Sequence, residues 1–195
     1  ELMKMPCGLH RANIAQAFEL MPELHELYEN LPQEVLSDLV DDPESWLIDV
    51  KIHMLMKGQF PCIPNWHCDN VPRDDDGNLQ YGEITPNAKG MYLYLSGAPK
   101  TEFIGIDQKV NSVENHGQLD DLIKRNGVTT QHIPSGQWVK MWQNTPHRGV
   151  PAMKSQWRVF VRLTHKSLIG RFMARQQVNP LRRHAQVYLP YDFNW

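Results

Sequence analysis

The sequence changes character at residues 46–57, which read Trp46-Leu47-Ile48-Asp49-Val50-Lys51-Ile52-His53-Met54-Leu55-Met56-Lys57. Apolar side chains at positions 48, 50, 52, 54 and 56 alternate there with mostly polar ones. Successive side chains of a strand point to opposite faces of a sheet, so this alternation predicts a half-buried β-strand.

The segments before this strand have helical spacing. Leu9, Asn13, Ala17, Leu20, Leu24 and Leu27 recur near every third or fourth position. This spacing predicts a helix over residues 9–30, interrupted or restarted at Pro22. A second helix is predicted over residues 33–40, directly after Pro32.

The segments after the strand are short and separated by turn residues. They predict strands over 90–96, 101–106, 128–133, 137–142 and 156–164, and helices over 117–125 and 166–177. Helices followed by many short strands are typical of an α+β protein whose sheets form a sandwich or a barrel.

The chain has 195 residues and a mass of 22.7 kDa, a size that predicts a single domain. The sequence has no apolar run of membrane-spanning length and no recognisable leader peptide, so we expect no membrane partner. It has three cysteines, an odd number, without a Cys-x-x-Cys pair. This pattern favours a reducing compartment, and we expect the protein to be cytoplasmic.

The segment His67-Cys68-Asp69 places two metal-binding side chains two residues apart. In an extended segment both project to the same side, so both can reach one ion. A second histidine would complete a set of two imidazoles and one carboxylate. His147 is the best candidate, because Pro146 and Gly149 place it at the end of a strand with a restricted backbone. His116, His132 and His165 are the alternatives.

The strand predicted over residues 156–164 has an unusual face. Trp157, Val159, Val161 and Leu163 point one way, whereas Arg158, Phe160 and Arg162 point the other. Two arginines beside an aromatic ring suit neither a dry core nor an ordinary solvent face. They suit a cavity that holds a carboxylate, which the guanidinium fork can bind through two hydrogen bonds.

The pair His67-x-Asp69 is followed by His147, 80 residues after His67, and by Arg158, eleven residues after His147. In these residues and spacings the sequence resembles the iron(II)/2-oxoglutarate-dependent dioxygenases. The spacing of the last two residues is similar to that of the phytanoyl-CoA hydroxylase-like branch. The resemblance implies a double-stranded β-helix, a jelly roll of cupin-like form, over residues 46–164. Residues 1–45 would form helices outside the sheet, and residues 165–195 a C-terminal helix and tail.

The resemblance also implies the roles of the site residues. His67, Asp69 and His147 would bind Fe(II), and Arg158 would bind the distal carboxylate of the co-substrate 2-oxoglutarate. Arg162 competes with Arg158 for that role, and Tyr94 is a candidate to hydrogen-bond the same carboxylate. Halogenating relatives have a small residue in place of the carboxylate ligand, so Asp69 favours hydroxylation or oxidative demethylation, with release of succinate and carbon dioxide.

Two other classes of function stay open at this point. A cupin-like jelly roll can bind a metal or another ligand without oxygenase activity. Alternatively, the basic residues within 154–184 could bind nucleic acid, since Asp192 is the sole acidic residue after position 150. The bases are spread out, which disfavours nucleic acid and favours a small molecule or a modified residue as substrate. The oligomeric state is open.

Overall fold

The computed structural model describes residues 8–20, 22–84, 89–98, 100–104 and 113–169. Its strands are β1 (Leu9–Asn13), β2 (Trp46–Leu55), β3 (Met91–Gly97), β4 (Thr101–Ile104), β5 (Thr130–His132), β6 (Trp138–Met141), β7 (His147–Gly149) and β8 (Gln156–His165). Its α-helices are α1 (Ile14–Leu20), α2 (His25–Tyr28), α3 (Gln33–Asp41) and α4 (His116–Asn126).

The strands form two antiparallel sheets. The larger sheet has the order β1-β2-β8-β3-β6, and the smaller has the order β5-β4-β7. From β2 onward the chain passes back and forth between the two sheets, which is the winding of a jelly roll. The predicted α+β jelly roll with cupin-like form is therefore confirmed.

The N-terminal helices cover the outer face of the larger sheet. Apolar side chains of α1 and α3 pack against the outward-facing residues of β2 and β8 in one buried cluster, which includes Ile14, Phe18, Val35, Trp46, Ile48, Val50, Ile52, Val159, Val161 and Leu163. On the other side of the molecule, α4 packs Leu119 and Ile123 against residues of the smaller sheet's outer face. The inner faces of the two sheets thus enclose the space between them.

The predicted helix over residues 9–30 is wrong in its first part. Leu9–Asn13 is strand β1, which pairs with β2, and helix begins only at Ile14. The helical spacing of Leu9, Asn13 and Ala17 was real, but pairing with an open edge of β2 outweighs it. Residues 1–45 therefore do not consist of outer helices alone, because part of them completes the larger sheet.

The other predicted elements are found with small shifts at their ends. Helix α3 and strands β2 to β6 and β8 lie where the sequence placed them. Helix α4 ends at Asn126 and is capped by Gly127 in the left-handed conformation. Of the helix predicted over 166–177, the described part is a short 3₁₀ turn, Lys166–Leu168, which is followed by the extended residue Ile169. The rest of it, from residue 170, lies outside the described residues.

Gly97 allows close contact between β3 and β8 opposite Arg158. Its φ is +81°, and a Cβ added there would lie 2.2 Å from the carbonyl oxygen of Trp157. We expect Gly97→Ala to lower the free energy of unfolding by about 2–4 kcal/mol, from backbone strain plus overpacking. Gly77, with φ +89° and no atom within 4 Å of such a Cβ, is the matched control. Urea unfolding should show a loss of only about 1 kcal/mol for Gly77→Ala, from strain alone.

Candidate metal centre

The two predicted imidazole ligands lie side by side on the smaller sheet. His67 and His147 exchange both backbone hydrogen bonds, with N···O distances of 3.0 and 2.9 Å. This pairing adds the His67 segment to the sheet next to β7. Both imidazoles are buried, and their ring centroids are 4.4 Å apart. Residues 80 positions apart in the sequence are thereby brought together, as the sequence predicted.

Backbone carbonyls fix the orientation of both rings. His67 Nδ1 lies 2.9 Å from the carbonyl oxygen of Asn65, and His147 Nδ1 lies 3.0 Å from that of Thr145. A carbonyl oxygen only accepts hydrogen bonds, so each Nδ1 carries the proton and each Nε2 offers its lone pair. Burial, and secondarily the neighbouring His147, lowers the pKa of His67 to about 4. The His67 ring is therefore neutral at physiological pH, as a metal ligand must be.

Asp69 faces the two Nε2 atoms. Its Oδ1 is 4.0 Å from His67 Nε2, and its Oδ2 is 3.4 Å from His147 Nε2. Burial alone would raise the pKa of this carboxyl, but the interactions that lower it, of which the charge of Arg162 is the largest, together outweigh burial and hold the pKa well below its usual range. Asp69 is therefore an anion at neutral pH.

These three residues form a group that could hold a metal ion. Their ligand atoms lie within 4.8 Å of one another, and the described residues contain no other such group. Two neutral imidazoles whose other nitrogen donates to a carbonyl, together with one carboxylate, are the donor set of non-haem iron(II) sites, which keep open positions on the ion. The residues present thus fit a divalent metal of this kind.

The segment with the ligands is also held from the side of α4, which the sequence analysis missed. The backbone N–H of Trp66 donates to the buried carboxylate of Asp120, at 2.9 Å, and that of Cys68 to His116 Nε2, at 3.4 Å. Trp66 and Cys68 point into the cluster beneath α4, whereas His67 and Asp69 point inward. Alternation along the segment predicted that these two pairs of side chains point to opposite faces. For the contact with α4, the signal in the sequence was Asp120, an acidic residue on the apolar side of that helix.

A cavity of about 180 Å³ adjoins the three residues between the sheets. Its walls combine apolar side chains with charged ones, namely Leu9, Pro61, Ile63, Leu93, Met141 and Phe160 with His10, Asp49, Lys51, Arg158 and Arg162. The predicted inward face of β8, with Arg158, Phe160 and Arg162, is therefore confirmed as a cavity wall.

Arg158 is the most deeply buried cation of this wall, with 1% of its surface exposed. Its Nη2 donates to the hydroxyl of Thr101, at 2.9 Å, and burial lowers the pKa of its guanidinium to about 10. Lys51, on the adjacent strand β2, lines the same cavity, although the sequence analysis treated it only as part of a polar strand face. A cavity with two buried cations is suited to an anionic ligand.

Two other predicted co-substrate ligands are placed differently. Arg162 donates to Asp69 through Nη1 and to Asp49 through Nη2 and Nε, so two carboxylates already neutralise it. Tyr94 does not line the cavity. Its neighbour Leu93 does, and the ring of Tyr94 lies on the opposite face of β3 with its centroid 5.4 Å from that of Trp138. The prediction for Tyr94 is corrected, since alternation along β3 turns this side chain toward the N-terminal helices.

The alternative histidines lie outside the metal-binding group. His116 is the nearest, with its ring centroid 6.0 Å from that of His67, and its Nε2 accepts from the backbone of Cys68. His132 is exposed on β5, and His165 contacts Ser167 at the end of β8. The order His67, Asp69, His147 is therefore the arrangement that the structure brings together.

Lys51 makes stability depend on pH. Burial, and secondarily the charge of Arg158, lowers the pKa of Lys51 from 10.5 to about 8. Between these pH values the unfolded chain keeps a proton that the folded protein has released. The free energy of unfolding therefore rises with pH in this range, by up to about 3 kcal/mol.

Urea unfolding at pH 7 to 10.5 measures this effect as a difference between variants. Lys51→Met should be more stable than the wild type at pH 7, and the gap should close as the pH rises. The exposed Lys57 is the control, because Lys57→Met should leave the pH dependence unchanged. An equal gap at all pH values would contradict the assigned pKa of Lys51.

Comparisons with known proteins show a likeness of fold only. The sequence matches no protein-family profile and no curated protein. Similar solved structures include a vicilin from Solanum melongena, described as having different anionic ligands in structurally similar pockets, with 10% identity, 77% of this chain covered and a TM-score of 0.34. A cupin protein from Bacteroides fragilis has 12% identity, with 68% of this chain and 77% of that chain covered and a TM-score of 0.28. The match spans 26% of the length of the vicilin chain.

Proposed function

We propose that this chain is an iron(II)- and 2-oxoglutarate-dependent oxygenase that hydroxylates or oxidatively demethylates its substrate. One observation carries the proposal: the group His67, Asp69 and His147 and the buried cation Arg158 line a single cavity. A keto acid that binds a metal at one end and a cation at the other needs these two features in one space. The resemblance in sequence to the dioxygenases points to the same assignment.

Each residue has a separate task in this proposal. The Nε2 atoms of His67 and His147 and one oxygen of Asp69 would hold the metal, with the imidazoles fixed by the carbonyls of Asn65 and Thr145. Bound Fe(II) would supply the activation of dioxygen, coupled to decarboxylation of the keto acid. Arg158 would bind the distal carboxylate of 2-oxoglutarate, and Thr101 would keep its guanidinium in place.

The apolar part of the cavity wall supports the same chemistry. Leu93, Met141 and Phe160 border the space beside the charged groups, so part of the cavity wall is apolar. An apolar surrounding strengthens the attraction between a carboxylate and Arg158.

A binding experiment and a turnover experiment test the proposal. Anaerobic addition of Fe(II) and 2-oxoglutarate should give a weak visible charge-transfer band, which requires both to bind at one centre. Admission of oxygen should then release succinate, slowly without a substrate and faster with a suitable one. A folded protein that retains iron but gives neither signal would be a metal-binding jelly roll without oxygenase activity, which is the main alternative.

The nucleic-acid alternative has less support. Four of the eight lysines and arginines on which it depends lie beyond residue 169, outside the described residues, and two of the other four, Arg158 and Arg162, line the cavity. Among the described residues, no helix is long and apolar enough to cross a bilayer.

A panel of small molecules, peptides and modified nucleotides, scored by accelerated succinate release, would identify the substrate class.

A further inference from the structure

Arg162 lies between two carboxylates, and one of them is the proposed metal ligand. Its Nη1 donates to Asp69 Oδ2, and its Nη2 donates to Asp49 Oδ2, at 2.8 Å. Asp49 is directly opposite Arg162 in the pairing of β2 with β8, and it is buried. Burial would raise the pKa of Asp49, but Arg162 and His10 outweigh burial and hold it well below its usual range.

The second oxygen of Asp49 is held by strand β1. His10 and Arg11 stand opposite the single residue Asp49, which is a β-bulge. The bulge directs the backbone N–H of Arg11 to Asp49 Oδ1, at 2.9 Å, and His10 Nδ1 to the same oxygen, at 3.0 Å. Arg11 adopts a φ of +50° there, a costly conformation for a residue other than glycine. Bulges of this kind often adjust side chains beside functional sites.

We propose that Asp49, Arg162 and Asp69 form a clamp in which Arg162 engages one oxygen of Asp69, so that this carboxylate offers the metal a single oxygen. Arg162 is thus a positioning residue, and Asp49 with the bulge of β1 holds it in place. The inference rests on the metal-binding part of the proposed function. The proposed function requires this arrangement, because it needs enough open positions on the ion. A six-coordinate ion bound by three protein atoms has three open positions, which are enough for a bidentate keto acid and dioxygen.

The clamp predicts opposite effects for its two outer members. Without Arg162, Asp69 is released to bind through both oxygens, and a positive charge near the ion is lost. Without the charge of Asp49, Asp69 is the remaining carboxylate of the clamp. Arg162 then competes more strongly with the ion for the carboxylate of Asp69. General loss of structure would instead weaken metal binding in both variants.

The test uses Mn(II) alone, with the full chain and without 2-oxoglutarate. Electron paramagnetic resonance in ¹⁷O-enriched water counts the water molecules bound to Mn(II), and a titration gives its Kd. The wild type should show three waters. Arg162→Gln should show two, with a Kd that is not raised, whereas Asp49→Asn should keep three and raise the Kd about tenfold. Arg148→Gln, which removes an arginine paired with Glu102 next to His147, should change neither value.

The outcomes separate the clamp from the proposed function. If the wild type binds Mn(II) with three waters but both clamp variants bind it more weakly and also keep three, Arg162 has only a structural role and the clamp is wrong. The same holds if neither variant changes the water count or the Kd. If the folded wild type binds no Mn(II), the clamp and the proposed function both fall. Asp49→Asn is nearly isosteric, so an unchanged Kd in this variant contradicts the clamp even if Arg162→Gln does not fold.

Discussion

Replacement of His147 by alanine should abolish succinate formation and metal binding while the fold is kept. His147 supplies one of the two imidazole nitrogens of the proposed centre, and its side chain faces the cavity beside Asp69. The backbone hydrogen bonds that pair it with His67 do not depend on the side chain. We expect the affinity for Fe(II) to fall by more than about a hundredfold, because loss of even an outer residue of a metal site often costs 10–100-fold. His67→Ala should behave in the same way.

The measurement is a metal titration followed by a succinate assay, with circular dichroism as a check on the fold. His132→Ala is the matched control. This histidine was an alternative ligand from the sequence, but it is exposed on β5, and it should keep both metal binding and turnover. Near-normal turnover in His147→Ala would show that His147 is not a ligand. Loss of turnover in His132→Ala would show that the wrong third histidine was assigned.

Replacement of Arg158 by alanine should raise the KM for 2-oxoglutarate at least tenfold and leave Fe(II) binding intact. Loss of a buried, charge-assisted pair costs about 2–5 kcal/mol, and most of that cost falls on the group left without its partner. Arg158→Lys should recover only part of the affinity, because an ammonium group cannot reproduce the two parallel hydrogen bonds of a guanidinium.

Steady-state kinetics at varied 2-oxoglutarate, with iron saturating, separates this effect from damage to the metal centre. Arg148→Ala is the control, since Arg148 pairs with Glu102 and lies over the ring of Trp66. It should leave the KM within about twofold of the wild type. An unchanged KM in Arg158→Ala would remove the assignment of this residue. If the KM for 2-oxoglutarate rises in Lys51→Met instead, the distal carboxylate is bound by Lys51 on β2.

The sequence was most informative where alternation and spacing coincide. The two faces of β2 and β8 were predicted from their period of two, and for β8 the structure confirms which face lines the cavity. Strand β2 was predicted to be half-buried, but most of it is buried on both faces, because its polar side lines the cavity. The meeting of His67, Asp69 and His147 was predicted from their spacing and residue types. The faces of the strands, and the shared side of His67 and Asp69, could be predicted because side chains on a strand have only two directions to take.

The predictions failed where long-range pairing decided the outcome. Leu9–Asn13 has helical spacing, but it pairs with the edge of β2, and a local pattern cannot report an available edge. Arg162 was predicted as a candidate to bind the co-substrate. Its partners in the structure, the carboxylates of Asp49 and Asp69, are 113 and 93 residues away in the sequence, so a local pattern could not identify them. Tyr94 was taken for a cavity residue because alternation distinguishes two faces of β3 without saying which one is inside.

Strand β1 also has a protective consequence. It pairs with residues 47–50 along one edge of β2, where the main-chain donors and acceptors would otherwise face solvent. Such an exposed row is a template on which a second polypeptide can add a strand. Strand β1 is itself an edge strand, and the bulge at His10 and Arg11 twists it and makes it a poorer template for the addition of another strand. The N-terminal segment should therefore reduce self-association of the protein. A truncated chain that starts at α3 lacks β1 and should aggregate, even where its jelly roll is otherwise intact.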